Sequence, residues 1–176
     1  MKKTIITILL AMSGIAPIIC SAQVSIGKTT INGTSTLLDF YDSNDNTKGI
    51  ILPNVTSAAL VESLGAPLEG TFIFDESDHK IKVYQNGIWL DLSDAGENTL
   101  ITANNAPDNG DGVIIGSNSS TVKGVLVLEH PTKAMILPKI QNPHSEVHQP
   151  YPGMICYDTF SKSLAVFDGK NWSYWK

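Results

Sequence analysis

Apolar positions along this chain come in short runs, mostly β-branched or aromatic, broken by polar clusters. Thr71-Phe72-Ile73-Phe74 and Ile81-Lys82-Val83-Tyr84 read as two strands, and polar Asp75 to His79 between them reads as a turn. Asn86-Gly87 marks a second, tight turn, because both residue types tolerate the positive φ angles of a type I′ hairpin. Ile88-Trp89-Leu90 leaves that turn as a third strand, which completes a predicted three-stranded meander. The same cadence returns later in the chain. Met154 to Tyr157, Ser163 to Phe167 and Asn171 to Trp175 predict a second meander, with Asp168-Gly169 supplying turn chemistry.

The recurrence is an internal repeat. Lys48-Gly49-Ile50-Ile51-Leu52-Pro53 returns as Lys133-Ala134-Met135-Ile136-Leu137-Pro138, and Gly70 to Trp89 returns as Gly153 to Trp172 without a gap. Gly, Asp, Val and Trp are identical at 70/153, 75/158, 83/166 and 89/172. A looser preface precedes each copy. Val24 to Gly27 is similar to Val113 to Gly116, and Thr36 to Phe40 to Gly124 to Leu128. Such self-similarity predicts stacked or strung modules rather than one enzyme fold around one active site. The expected fold is mainly β, with two related small modules, each a short-strand preface plus a three-stranded meander. One short helix is expected in the first, over Thr56 to Gly65, with Thr56 capping its start and Gly65 closing its end. The matching stretch, Gln141 to Pro152, has three prolines and predicts a loop or one distorted turn. The expected boundaries are 23–93 for the first module, 94–111 for a linker and 112–176 for the second. Leu100-Ile101 is a candidate extra strand between the modules. The aromatic C-terminus predicts an end tied into a sheet.

Residues 1–22 read as a signal peptide: basic Lys2-Lys3, an apolar run from Ile5 to Ile19, then small residues before Gln23. A lipoprotein anchored on Cys20 is the rival; it needs a small residue just before the cysteine, where Ile19 stands. The apolar run is too short for a stable transmembrane helix, so no membrane insertion is expected after signal cleavage. The chain beyond it carries ten lysines against seventeen Asp and Glu, and no arginine. That balance argues against nucleic acid and anionic membrane surfaces as partners. Cys156 has no partner beyond the leader and reads as a small buried hydrophobe.

Taken in order, Gly27, Leu37-Leu38-Asp39-Phe40, Lys48-Gly49-Ile50-Ile51-Leu52-Pro53, Thr56-Ser57-Ala58, Gly70 with Phe74-Asp75, and Tyr84-x-Asn86-Gly87-x-Trp89 resemble a repeat of secreted Bacteroidota proteins. Its usual cadence is "KGLLLPRMT…PAEGLLIYNTDTKKLYFYNGTAW". The repeat is frequent in cell-surface and tail-fibre-like proteins with non-enzymatic or unknown roles. The resemblance covers nearly all the chain after residue 22, twice. The second copy departs from it, with Ala134 in place of the Gly and no helix start. Asn54 and Lys139 stand where relatives commonly have Arg. The resemblance implies location and architecture, not a ligand. A fibre-like homotrimer is also implied by it and not by the residue spacing.

Candidate chemistry is sparse. His144 and His148 lie four apart, a spacing that on a helix lets two imidazoles hold one metal ion. Pro143 and Pro150 bracket them without an evident third ligand, which favours a solvated loop. Asp42 to Asn46 starts like a calcium loop, but Thr47 and Pro53 stand where that loop needs Gly and Glu. It and Asp108 to Gly112 read as turns. Trp89 and Trp172 share one repeat position and read as packing. Trp175 and Tyr174 are the aromatics better placed to be exposed and to stack on sugar rings. No catalytic residue, metal site or cofactor is expected. The expected role is an exported, non-enzymatic structural or adhesive surface protein, periplasmic, cell-surface or extracellular. The alternative is a secreted glycan-binding module using Trp175, Tyr174, His144 and His148. A homo-oligomer and a cell-surface or extracellular glycan or protein are the expected partners.

Overall fold

The computed structural model describes residues 23–102, 110, 112–122 and 124–176. Residues 1–22, read above as a signal peptide and including Cys20, lie outside the described residues, as does most of the stretch 108–112.

The chain is mainly β, built as two related modules. In each preface, two short strands pair in parallel: β1 (Val24–Ile26) with β2 (Thr36–Phe40), and later β8 (Val113–Ile115) with β9 (Leu126–Leu128). The two pairs share one register, since Ile26 aligns with Phe40 and Ile115 with Leu128. Alternating apolar residues alone do not distinguish parallel from antiparallel partners; the long connection between strands permits the parallel choice.

The Leu-Pro segments split into two strands each. β3 (Ile50–Ile51) and β4 (Asn54–Val55) flank Pro53; β10 (Ala134–Met135) and β11 (Lys139–Ile140) flank Pro138. Proline has no N–H to give to a ladder, so pairing is interrupted there and the chain changes partner. The meanders follow as β5 (Phe72–Asp75), β6 (Lys80–Gln85) and β7 (Ile88–Asp91), then β12 (Met154–Asp158), β13 (Ser163–Phe167) and β14 (Trp172–Trp175). Adjacent meander strands are antiparallel, and β4 and β11 add in parallel to β5 and β12. Asn86 and Gly87 both have positive φ, as the type I′ reading requires. The Glu69 carboxylate accepts both of their N–H groups.

Two short helices occur. α1 (Ala58–Ser63) is capped by Ser57, whose hydroxyl accepts the Leu60 N–H at 3.1 Å, so the cap lies one residue after the expected Thr56. Ala58 at its start also donates its N–H to Asp75, which helps fix this register. α2 (Pro143–Glu146) is a single turn in the proline-rich connector of the second module.

The core lies between the meanders. Phe74, Ile81, Val83 and Leu92 of the first pack with Ile155 and Val166 of the second. Alternation then gives β12 and β13 a second buried face: Met154, Cys156, Ala165 and Phe167 join Ile140 and Val147. Leu100 and Ile101 form no strand. Leu100 is in a turn, and Ile101 packs against the shared core.

Candidate functional site

The repeat halves are joined by exchanged strands. β3 leaves the first module and pairs antiparallel with β12, Ile50 opposite Ile155 and Ile51 opposite Met154. β10 leaves the second module and pairs in parallel with β2, where the N–H groups of Ala134 and Ile136 donate to Ser35 and Leu38 at 2.9 Å. Gly49 eases the first approach: a Cβ there would lie 2.7 Å from Met154 Cγ and 2.8 Å from Ile155 O, so the neighbours would have to shift.

Polar groups and glycines reinforce this junction. The Asp42–Asn46 stretch, which begins like a calcium loop, acts as a clasp. Asn46 is buried and its amide donates to Lys139 O at 3.0 Å and Lys48 O at 3.2 Å. Glu97 N–H donates to Asp168 O at 3.0 Å, and Gly96 N–H to His79 O at 2.9 Å. Gly96 and Gly169 interlock there; a Cβ on either would come 1.9 Å from the other segment's carbonyl oxygen. Residues 96 and 97, expected as linker, are thus held against the β13–β14 turn.

Trp175, Tyr174, His144 and His148 are all exposed. Trp175 is tied to the first module, its Nε1–H donating to Leu92 O at 2.6 Å. Tyr174 Oη lies 3.3 Å from His144 Nδ1, with the rings edge to face. Burial raises the Tyr174 hydroxyl pKa, as does the charge of Asp158. His148 stands apart from this pair, because α2 ends at Glu146 and Val147 is extended. The two histidines therefore do not share a helix face. His148 lines an open groove of about 680 Å³ with Lys48, Glu146 and Met154. Among the described residues, no group of three or more His, Cys, Asp or Glu is placed to hold a metal ion.

Sequence reasoning missed four buried carboxylates: Asp39, Asp75, Asp158 and Asp168. The identical repeat pair Asp75/Asp158 was the available signal. Each organises a turn and ties down the segment before it. Asp75 accepts from the Ser77 hydroxyl and N–H and from Ala58 N–H, with Lys82 Nζ at 3.0 Å. Asp158 accepts from the N–H groups of Asn142, Phe160 and Ser161. Burial opposes ionisation of Asp75, but those donors outweigh it and hold the carboxyl at about 2. Asp39 faces Lys28 at 2.7 Å. Cys156 is fully buried, and desolvation pushes its thiol up to about 12.

Trp89 and Trp172 pack as their shared position implies, against Tyr84 and Phe167 respectively. Among the described residues, no helix is long and apolar enough to cross a membrane. The chain matches no family model, and comparisons with curated proteins and with solved structures give no match.

Proposed function

We propose that this is an exported, non-enzymatic structural or adhesive protein of the cell surface, built as a fibre-like scaffold. The strand exchange carries the reading: each module lends a strand to the other, and the two share one core. Ionisable groups are committed to holding that scaffold, with Asp75 and Asp158 each fastening a turn and Cys156 sealed in the core. The leader and the resemblance to secreted Bacteroidota repeats supply the address. Immunolabelling of intact cells tests it. Label is expected before permeabilisation and is removed by added protease; label that appears only after permeabilisation contradicts a surface role.

A second reading, glycan binding, is favoured by one observation: Tyr174 and Trp175 are adjacent and exposed, with His144 beside Tyr174. A glycan array is the test. Binding lost in Tyr174→Ala, with the melting temperature unchanged, supports it; an array without signal rejects it.

A further inference from the structure

The two Leu-Pro strands use opposite edges. Ala134 in β10 and Ile136 just after it turn their N–H groups to β2. Successive backbone groups of a strand alternate between its edges, so Met135 and Leu137 face away. In β3 the counterparts of Met135 and Leu137 are the ones engaged: Ile50 pairs with Ile155, and Leu52 N–H donates to Gly153 O at 3.0 Å. Gly49 and Ile51 then face away. Among the described residues, each strand leaves open the edge that its repeat counterpart fills.

The acceptors are half-used in the same way. β12 has β3 beside Met154 and Ile155; the matching positions, Thr71 just before β5 and Phe72 within it, have no strand there among the described residues. Gly153 and Gly70 have the same φ, +84°. A Cβ at Gly153 would meet Leu52 and Phe74, whereas nothing lies within 4 Å of one at Gly70. β2 has β10 at its edge and Leu37 and Leu38 are 1% exposed; their repeat counterparts, Val125 just before β9 and Leu126 within it, are 72% and 46% exposed. The relation between modules is directional. β3 goes to a meander and β10 to a preface, so a two-fold axis does not relate them. A directional contact leaves one complementary half-joint on each module.

We propose that a second copy of this chain adds head to tail at these edges, repeating the internal joint between molecules. In it, β10 of one copy pairs antiparallel with β5 of the next, Met135 opposite Phe72 and Ile136 opposite Thr71. β3 of the next copy pairs in parallel with β9 of the first, Ile51 N–H donating to Leu126 O. Exposed, unpaired strand edges are templates for this kind of addition. Ala134 makes the joint weaker than its internal template, because its methyl group stands where Gly49 has none and crowds the opposing carbonyl. The inference deepens the structural role proposed above and rests on that reading.

The test is light scattering on the processed chain over a concentration series, with cysteine cross-linking of Thr71→Cys/Ile136→Cys. Cys156 is buried and does not interfere. The expected result is mass growing with concentration, into closed rings or longer arrays, and a ladder of disulfide-linked copies on a non-reducing gel. Val125→Lys, at an exposed position, keeps the fold and lowers association at least tenfold; Ala134→Gly raises it. A wild-type chain that is monomeric throughout overturns the proposal, as does an assembly unchanged by Val125→Lys and yielding no ladder. Surface labelling separates this from the role itself. A monomer that labels on intact cells removes the assembly alone, and an assembling chain confined inside the cell removes the surface role alone.

Discussion

At the residue scale, the same two repeat positions illustrate how charge is kept in a small core. Asp75 and Asp158 are each 1% exposed, and both titrate below the ordinary carboxylate range. Desolvation alone would raise them; converging N–H and hydroxyl donors reverse its effect. The folded Asp75 carboxyl releases its proton more readily than the unfolded one. Its contribution is therefore present above the ordinary value near 3.8 and is lost as pH falls toward 2. It amounts to on the order of 2 kcal/mol. Thermal melts from pH 7 to pH 2 should show this acid limb, and Asp75→Asn should flatten it. Asp75→Ala should cost about 3 kcal/mol in chemical denaturation, because Ala58 N–H, Ser77 N–H and the Ser77 hydroxyl lose their acceptor together, while Lys82 keeps Asp78. Cys156 gives a second expectation. With its thiol buried and pushed up to about 12, it should not react with a thiol reagent at pH 8 until the chain is unfolded, then react once per chain in a protein lacking residues 1–22.

At the element scale, the junction depends on close backbone approach rather than on large side chains. β3 is two residues long, yet it closes the edge of β12 because Gly49 lets the strands meet. Gly49→Ala drives a methyl group against Met154 and the Ile155 carbonyl, and should destabilise the fold by about 2 kcal/mol. Hydrogen exchange at Leu52, whose N–H bonds across that joint, should accelerate in this variant. Unchanged protection at Leu52 would mean that β3 is not held by β12.

At the scale of the whole molecule, the sequence repeat and the cooperative unit differ. The repeat divides the chain in two, but Phe74, Ile81, Val83 and Leu92 pack directly with Ile155 and Val166. Ile101, between the modules, also packs there. A shared core predicts one unfolding transition in calorimetry, with calorimetric and van't Hoff enthalpies equal for the unassociated chain. Two resolved transitions would show that the modules hold their own cores.

Much of the local structure was legible because its causes are local. Alternating apolar residues mark the meander strands, Asn86-Gly87 provides the backbone freedom its turn needs, and Pro143 with its neighbours leaves the connector a single turn. Trp175, read as the better exposed tryptophan because it has no repeat counterpart, is 43% exposed. The helix cap shifted by one residue because Ala58 is pinned by Asp75, seventeen positions away. Parallel pairing in the prefaces, the exchange of β3 and β10, and the linker residues held against the second module were decided only in the tertiary structure. Two-residue strands such as β3 and β10 carry almost no pairing preference of their own. Their partners are chosen by which edge lies within reach once the two meanders have closed on their common core.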